Sequence, residues 1–176
     1  MKPLRVGLVS DTHGLFEPRL ARLLSGCDLI LHAGDVVRPS ILADLARLAP
    51  VRAVRGNNDG DPAFDALPEV AHLDLAGRST IVIHEIGSRA RLALPARRAV
   101  ARHAARIVVH GHSHRPAAAL EDGVLFVNPG SAGPRRFSLP RAAGLLLLGR
   151  REVEVRLHDV ARDDLPLLVP PLAIDL

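Results

Sequence analysis

His112 and His114 stand two residues apart in Gly111-His112-Ser113-His114, directly after the apolar run Ile107-Val108-Val109. On an extended turn, imidazoles so spaced can converge on one small object, and a metal ion suits histidine nitrogens. The same pattern, an apolar run ending at a breaker and a donor side chain, recurs upstream. Asp11 and His13 follow the first such run, Asp35 the second, Asn57, Asn58 and Asp59 the third, and His84 a fourth. Aspartates offer hard anionic oxygens and histidines neutral nitrogens, and no cysteine accompanies them, so the set is unlike a structural zinc knot and suits a pair of Mn, Fe, Zn, Ni or Co ions. Singly, each residue has another use: Asp11 and Asp35 as helix caps, Asn57 and Asp59 as turn formers, His84 as a hydrogen-bonded core histidine. Together, those uses give no reason why every apolar run should stop at a potential ligand.

The elements that must position these residues follow from periodicity and breakers. A strand over 4–10 is bounded by Pro3 and by Asp11-Thr12-His13-Gly14, and a helix follows, with Pro18 at its start, Leu20, Leu23 and Leu24 on one face, and Gly26 as a left-handed cap. Strand 28–33, a helix from Pro39 with Ile41, Leu42, Leu45 and Leu48 as its stripe, and strand 51–55 complete a β-α-β-α-β order, which argues for a parallel sheet with helices on its faces. The crevice beyond the carboxyl ends of such strands is where ligands bind, so the donors are placed to meet. Beyond Pro68 the pattern predicts a hairpin of 70–75 with 79–84, a helix over 95–105, strand 107–109, a hairpin about Asp122-Gly123 and another spanning 145–157. One domain over 1–176 is expected, with 158–176 as an extended C-terminal tail carrying Pro166, Pro170 and Pro171.

Composition narrows the function classes. The lone Cys27 cannot form an intramolecular disulfide and reads as a small buried residue. The first apolar run is too short for a signal-peptide core and the longest later one too short for a membrane span, so a soluble cytoplasmic protein is expected. The net charge is +4, but Lys2 is the only lysine and the arginines are scattered; with no Trp or Tyr and 4 Phe there is little to stack bases, and nucleic acid is an unlikely partner.

Asp11-x-His13, Gly34-Asp35, Gly56-Asn57-x-Asp59 and Gly111-His112-x-His114, in that order, resemble the motifs of the calcineurin-like metallophosphoesterases. Asn128-Pro129-Gly130-Ser131 resembles the small single-domain bacterial and archaeal phosphodiesterase branch, whose fold is also that of the retromer phosphoesterase-like subunit. The resemblance implies an α/β fold, a four-layer αββα sandwich of two mixed sheets with flanking helices. It also implies two divalent ions, manganese favoured. Asp11, His13 and His114 would hold one and Asn57, His84 and His112 the other, with Asp35 bridging. The pair His112/His114 would thus be divided between the ions. The implied activity is hydrolysis of a small phosphate ester, a diester, by a metal-bridging hydroxide. A phosphomonoesterase or nucleotidase with the same centre, or a non-catalytic protein-binding scaffold, is the alternative, and a homo-oligomer is open.

The chain departs from that pattern in places. Where the broader superfamily often has a histidine as proton donor to the leaving group, this chain has Asn58, whose amide can hydrogen-bond a phosphoryl oxygen but not deliver a proton. Glu85 stands where the family usually has glycine and is expected to turn away from the crevice or meet an arginine. Asp59 is expected to orient a ligand histidine or Asn58. Together with Asp35 and His112, Asn58 and Asp59 form the expected catalytic set. Arg135 and Arg136 are candidates to grip the substrate phosphate, with a solvated loop the alternative. Phe16 and Phe137 are expected in core packing, with a pocket wall as the alternative.

Overall fold

Along the first strand, Val6 and Leu8 face one core and Val9 another, and all three are fully buried. Strands covered on both faces read as unbroken apolar runs, which is why so many segments of this chain lack clean alternation. The computed structural model describes residues 2–176. Chain order is β1 (Leu4–Val9), α1 (Arg19–Leu23), β2 (Leu29–His32), α2 (Pro39–Ala46), β3 (Val51–Ala53), β4 (Val70–Leu75), β5 (Arg78–Ile83), β6 (Gly87–Ser88), β7 (Arg91–Leu92), α3 (Leu94–His103), β8 (Ile107–Val109), β9 (Ala117–Glu121), β10 (Val124–Asn128), β11 (Ala142–Leu148), β12 (Glu152–Asp159) and β13 (Leu172–Asp175).

Two mixed sheets result. The six-stranded sheet runs β13-β12-β11-β1-β2-β3, and the five-stranded sheet β4-β5-β8-β10-β9. β1, β2 and β3 are parallel, as are β5, β8 and β10. Helices α1, α2 and α3 supply crossovers, as parallel neighbours require. Between the sheets, Val6, Leu8, Leu31 and Leu146 meet Val82, Ile107, Val109 and Val127. Outside the first sheet, Leu20 and Leu23 of α1 and Ile41 and Leu45 of α2 pack with Val9, Ile30 and Leu145. Outside the second, Ala96 and Ala99 of α3 pack on Ile81, Ile83, Val108 and Phe126. The chain is therefore a four-layer αββα sandwich.

Local chemistry sets the helix ends. Pro39 opens α2 and Pro95 lies in the first turn of α3, where a missing N–H leaves no bond unmade. α3 stops where Ala104 turns left-handed. α1 is a single turn that ends before Gly26, which nonetheless takes the expected left-handed conformation, with φ +72°.

The C-terminal tail differs from a simple strap. β12 runs through His158 to Asp159, and residues 172–175 return as edge strand β13, pairing Val153 with Ile174. Leu172 and Ile174 pack against the inter-sheet core while Ala173 and Asp175 are exposed, an alternation the prolines of the tail mask in the sequence. Among the described residues no helix is long and apolar enough to cross a membrane.

Candidate metal centre

Every expected donor lies just past the carboxyl end of a strand: Asp11 and His13 after β1, Asp35 after β2, Asn57 after β3, His84 after β5, and His112 and His114 after β8. Two glycines let these loops close on one another. A side chain at Gly56 would strike the amide and carboxylate of Asp35, and one at Gly111 would strike Ser10 Oγ and the Asp11 carboxylate. The turns themselves are unusual. Asp11, His13, Asp35, His112 and His114 have φ of +53°, +45°, +57°, +66° and +57°, the left-handed region that residues with a Cβ seldom enter. Such strain, about 1–3 kcal/mol per residue, persists only where the surroundings impose it, and it clusters at functional sites.

The donors form two groups. In one, His114 Nε2 lies 3.2 Å from His13 Nε2 and 3.2 Å from Asp11 Oδ1. In the other, Asn57 Oδ1 lies 3.0 Å from His84 Nε2 and 3.0 Å from His112 Nδ1. The Asp35 carboxylate stands between: its Oδ2 is 3.8 Å from His13 Nε2 and 3.5 Å from His84 Nε2. Candidate ligand atoms of Asp11, Asp35 and His84 also lie within 4.8 Å of one another. His112 and His114 therefore face different groups.

A cation fits this arrangement. Separations of about 3 Å are those of neighbouring donors around an ion bound at about 2.1 Å. His84 Nδ1 donates to the Ala33 carbonyl at 2.7 Å, which turns Nε2 towards Asn57 Oδ1 and Asp35 Oδ2. Acceptors that face acceptors need a proton or a metal between them. Asp11 Oδ1 is buried without any hydrogen-bond partner, whereas its Oδ2 accepts from Ser10 Oγ at 2.6 Å and from the His112 amide at 3.1 Å. An orphaned buried carboxylate oxygen beside two imidazole nitrogens is a donor set that suits a cation.

Charges agree with ligand use. Burial works to raise the Asp35 carboxyl, but hydrogen bonds from His84 and from the Asn58 side chain and amide outweigh it and hold the group well below the usual carboxylate range. Burial, then the charge of Arg136, pushes His13 below its ordinary pKa against the pull of Asp35 and Asp11, which favours the neutral ring that metals require. For His84 burial is outweighed by its bonds to Asp35 and the Ala33 carbonyl, and its pKa rises.

Several expectations need correction. Asp59 orients neither a histidine nor the Asn58 side chain. Its buried carboxylate accepts from the Val37 amide at 2.7 Å and the Gly56 amide at 2.8 Å, fastening the loop after β2 to the loop after β3. Val37 is β-branched with φ +69°, and its amide needs that partner. Glu85 neither turns away nor meets an arginine: its Oε1 lies 3.8 Å from His112 Nε2, and with Asn57 and His84 it lines a cavity of about 490 Å³ beside the donors. Phe137 is 93% exposed on the loop that carries Arg135 and Arg136, not packed in a core, while Phe16 does pack against the α1–α2 cluster. Arg135 and Arg136 are exposed, and the charge of Arg136 reaches His13.

The sequence assigned no role to several supporting residues. Ser10 fixes Asp11, Ser131 Oγ of the Asn128-Pro129-Gly130-Ser131 motif donates to the Asp11 carbonyl at 2.8 Å, and the fully buried His32 meets Thr12 Oγ1 at 3.1 Å. Ser10 and Thr12 flank a predicted ligand, which is the signal the sequence held for them.

Comparison with known proteins accords with this geometry. A probable metallophosphoesterase of Methanothermobacter thermautotrophicus is 32% identical over 155 residues, covering 83% of this chain and 87% of that protein. A predicted phosphoesterase from Streptococcus pneumoniae superposes with a TM-score of 0.77 at 24% identity, over 100% of this chain and 99% of that one. Vacuolar protein sorting 29 from Cryptosporidium parvum gives 0.80 at 20% identity over 100% of both chains. The family model for the calcineurin-like phosphoesterase superfamily domain matches residues 4–150, and the chain that builds this cluster of aspartates and histidines belongs to that superfamily.

Proposed function

We propose that this metallophosphoesterase is a phosphodiesterase with a dinuclear centre, held by Asp11, His13 and His114 on one side, by Asn57, His84 and His112 on the other, and by Asp35 between. The observation that carries the proposal is the convergence of buried nitrogen and oxygen donors on one another, above all the orphaned Asp11 Oδ1. Two divalent ions bound there, manganese favoured, would supply an activated water as nucleophile and Lewis-acid neutralisation of the phosphoryl oxygens. The chain's own residues do the rest. Asp35, kept ionised by Asn58 and His84, holds the two donor groups in register. Asn58 Nδ2 donates to Asp35 at 2.7 Å and keeps a second N–H for a phosphoryl oxygen. Arg136, on the His13 side, adds positive charge where a phosphate anion would dock, with Arg135 beside it.

None of these groups is a proton donor to the leaving oxygen, which favours substrates whose leaving group is good without help, and diesters over alkyl monoesters. The test is hydrolysis of a bis-aryl phosphodiester beside the matching aryl monoester, by metal-stripped and Mn²⁺-loaded protein. Metal-dependent turnover that favours the diester is expected. A preference for the monoester moves the protein to the phosphomonoesterase reading. Equal inertness of stripped and loaded protein, with substoichiometric metal by elemental analysis, moves it to the scaffold reading.

A further inference from the structure

We infer that Glu85 is a positioning residue for the more exposed of the two ions: its carboxylate accepts a hydrogen bond from the Nε2–H of His112 and so keeps Nδ1 of that ring turned to the metal. The inference rests on the two-ion reading above.

His112 has two ring nitrogens with opposite surroundings. Nδ1 lies 3.0 Å from Asn57 Oδ1, within the second donor group. A ligating nitrogen must be bare, so the ring's proton belongs on Nε2. That nitrogen points the other way, and Glu85 Oε1 lies 3.8 Å from it. Glu85 is thus on the edge of the ring opposite the ion, too far round to be a ligand and placed to receive the outward N–H.

His84 shows why such a partner is needed. Its tautomer is set by the Ala33 carbonyl, and its side chain is 5% exposed, so packing and backbone fix the ring together. The His112 side chain is 44% exposed, and its edge-on contact with the His84 ring, centroids 5.2 Å apart, leaves the rotation about χ2 to be settled by whatever holds Nε2. Arg55, which lines the cavity, is engaged elsewhere, with the Asp65 carboxylate at 3.2 Å and the Asp59 carbonyl at 3.1 Å. The Glu85 carboxylate, at 57% exposure, is therefore free to close the last fraction of an ångström by a small side-chain rotation.

Carboxylates that orient ligating histidines are typically worth 10–100-fold in metal affinity. The experiment is calorimetric titration of Mn²⁺ into metal-stripped wild-type, Glu85→Ala and Glu85→Gln protein, with the thermal midpoint of each stripped protein measured alongside. Wild type is expected to bind two ions. Glu85→Ala should weaken one of them about 10–100-fold, leave the other within twofold and leave the midpoint unchanged. Glu85→Gln, which keeps an acceptor oxygen, should recover most of the loss. Three results would overturn the inference: both affinities unchanged in Glu85→Ala, both weakened equally, or Glu85→Gln as deficient as Glu85→Ala. Wild-type protein that binds no more than one ion overturns the two-ion reading itself, and the role of Glu85 with it.

Discussion

The two halves of the candidate centre are built differently. Around Asp11, His13 and His114 the side chains are 0%, 8% and 9% exposed, the loops are locked by Ser10 and Ser131, and a buried oxygen waits without a partner. Around Asn57 and His112 the groups stand at the surface beside an open cavity, and only His84 is buried. Desolvated anionic donors bind a cation more strongly than solvated neutral ones, because water competes less and the field is screened less. On the two-ion proposal the first half would be a fixed seat and the second the place where an ion exchanges.

Ways to break this comparison can be ranked by size. Asp35→Asn takes the shared charge from both halves, and turnover of the aryl diester should fall by at least about 10³-fold, with elemental analysis showing both ions depleted; loss of one ion alone would deny Asp35 its bridging place. Next in size, His114→Ala and His112→Ala should each lower stoichiometry from two ions to one, yet differ in kind. The ion left in His112→Ala should resist dialysis against a weak chelator, whereas the one left in His114→Ala should be drawn off. Equal retention in the two variants would erase the asymmetry.

The smallest effect concerns what lies behind the fixed seat. Burial holds fully enclosed His32 at about 4, below its ordinary 6.5. The unfolded chain therefore takes up this proton first, so His32 contributes its full stability above pH 6.5 and loses it as pH falls towards 4. A depression of this size corresponds to roughly 3 kcal/mol. Denaturant melts of stripped protein should show that slope, and His32→Gln should reduce it, the remainder coming from His110, which burial also holds at about 4.

Much of this was legible in the sequence because each apolar run ends where its chemistry begins. The positions of Asp11, Asp35, Asn57, His84 and His112, each behind a run that had to be a strand, required only that parallel strands end together, and the structure brings them together. Contacts across the crevice were not legible. The partners of Asp59 are backbone amides of Val37 and Gly56, which carry no signature in residue type. Glu85 looked like a charge to be turned away from phosphate, and only the ring orientation of His112 gives it a use. Edge strand β13 hid because Pro166, Pro170 and Pro171 precede it, and prolines before a strand say nothing against one after it.

The left-handed backbone at His13 and His114 bears on how this protein would respond to selection. Glycine occupies that conformation without strain, so replacing either histidine by glycine removes a donor and relaxes the chain in one step. Selection of random variants for heat resistance alone would tend to dismantle the centre, while selection for turnover would retain residues that weaken the fold.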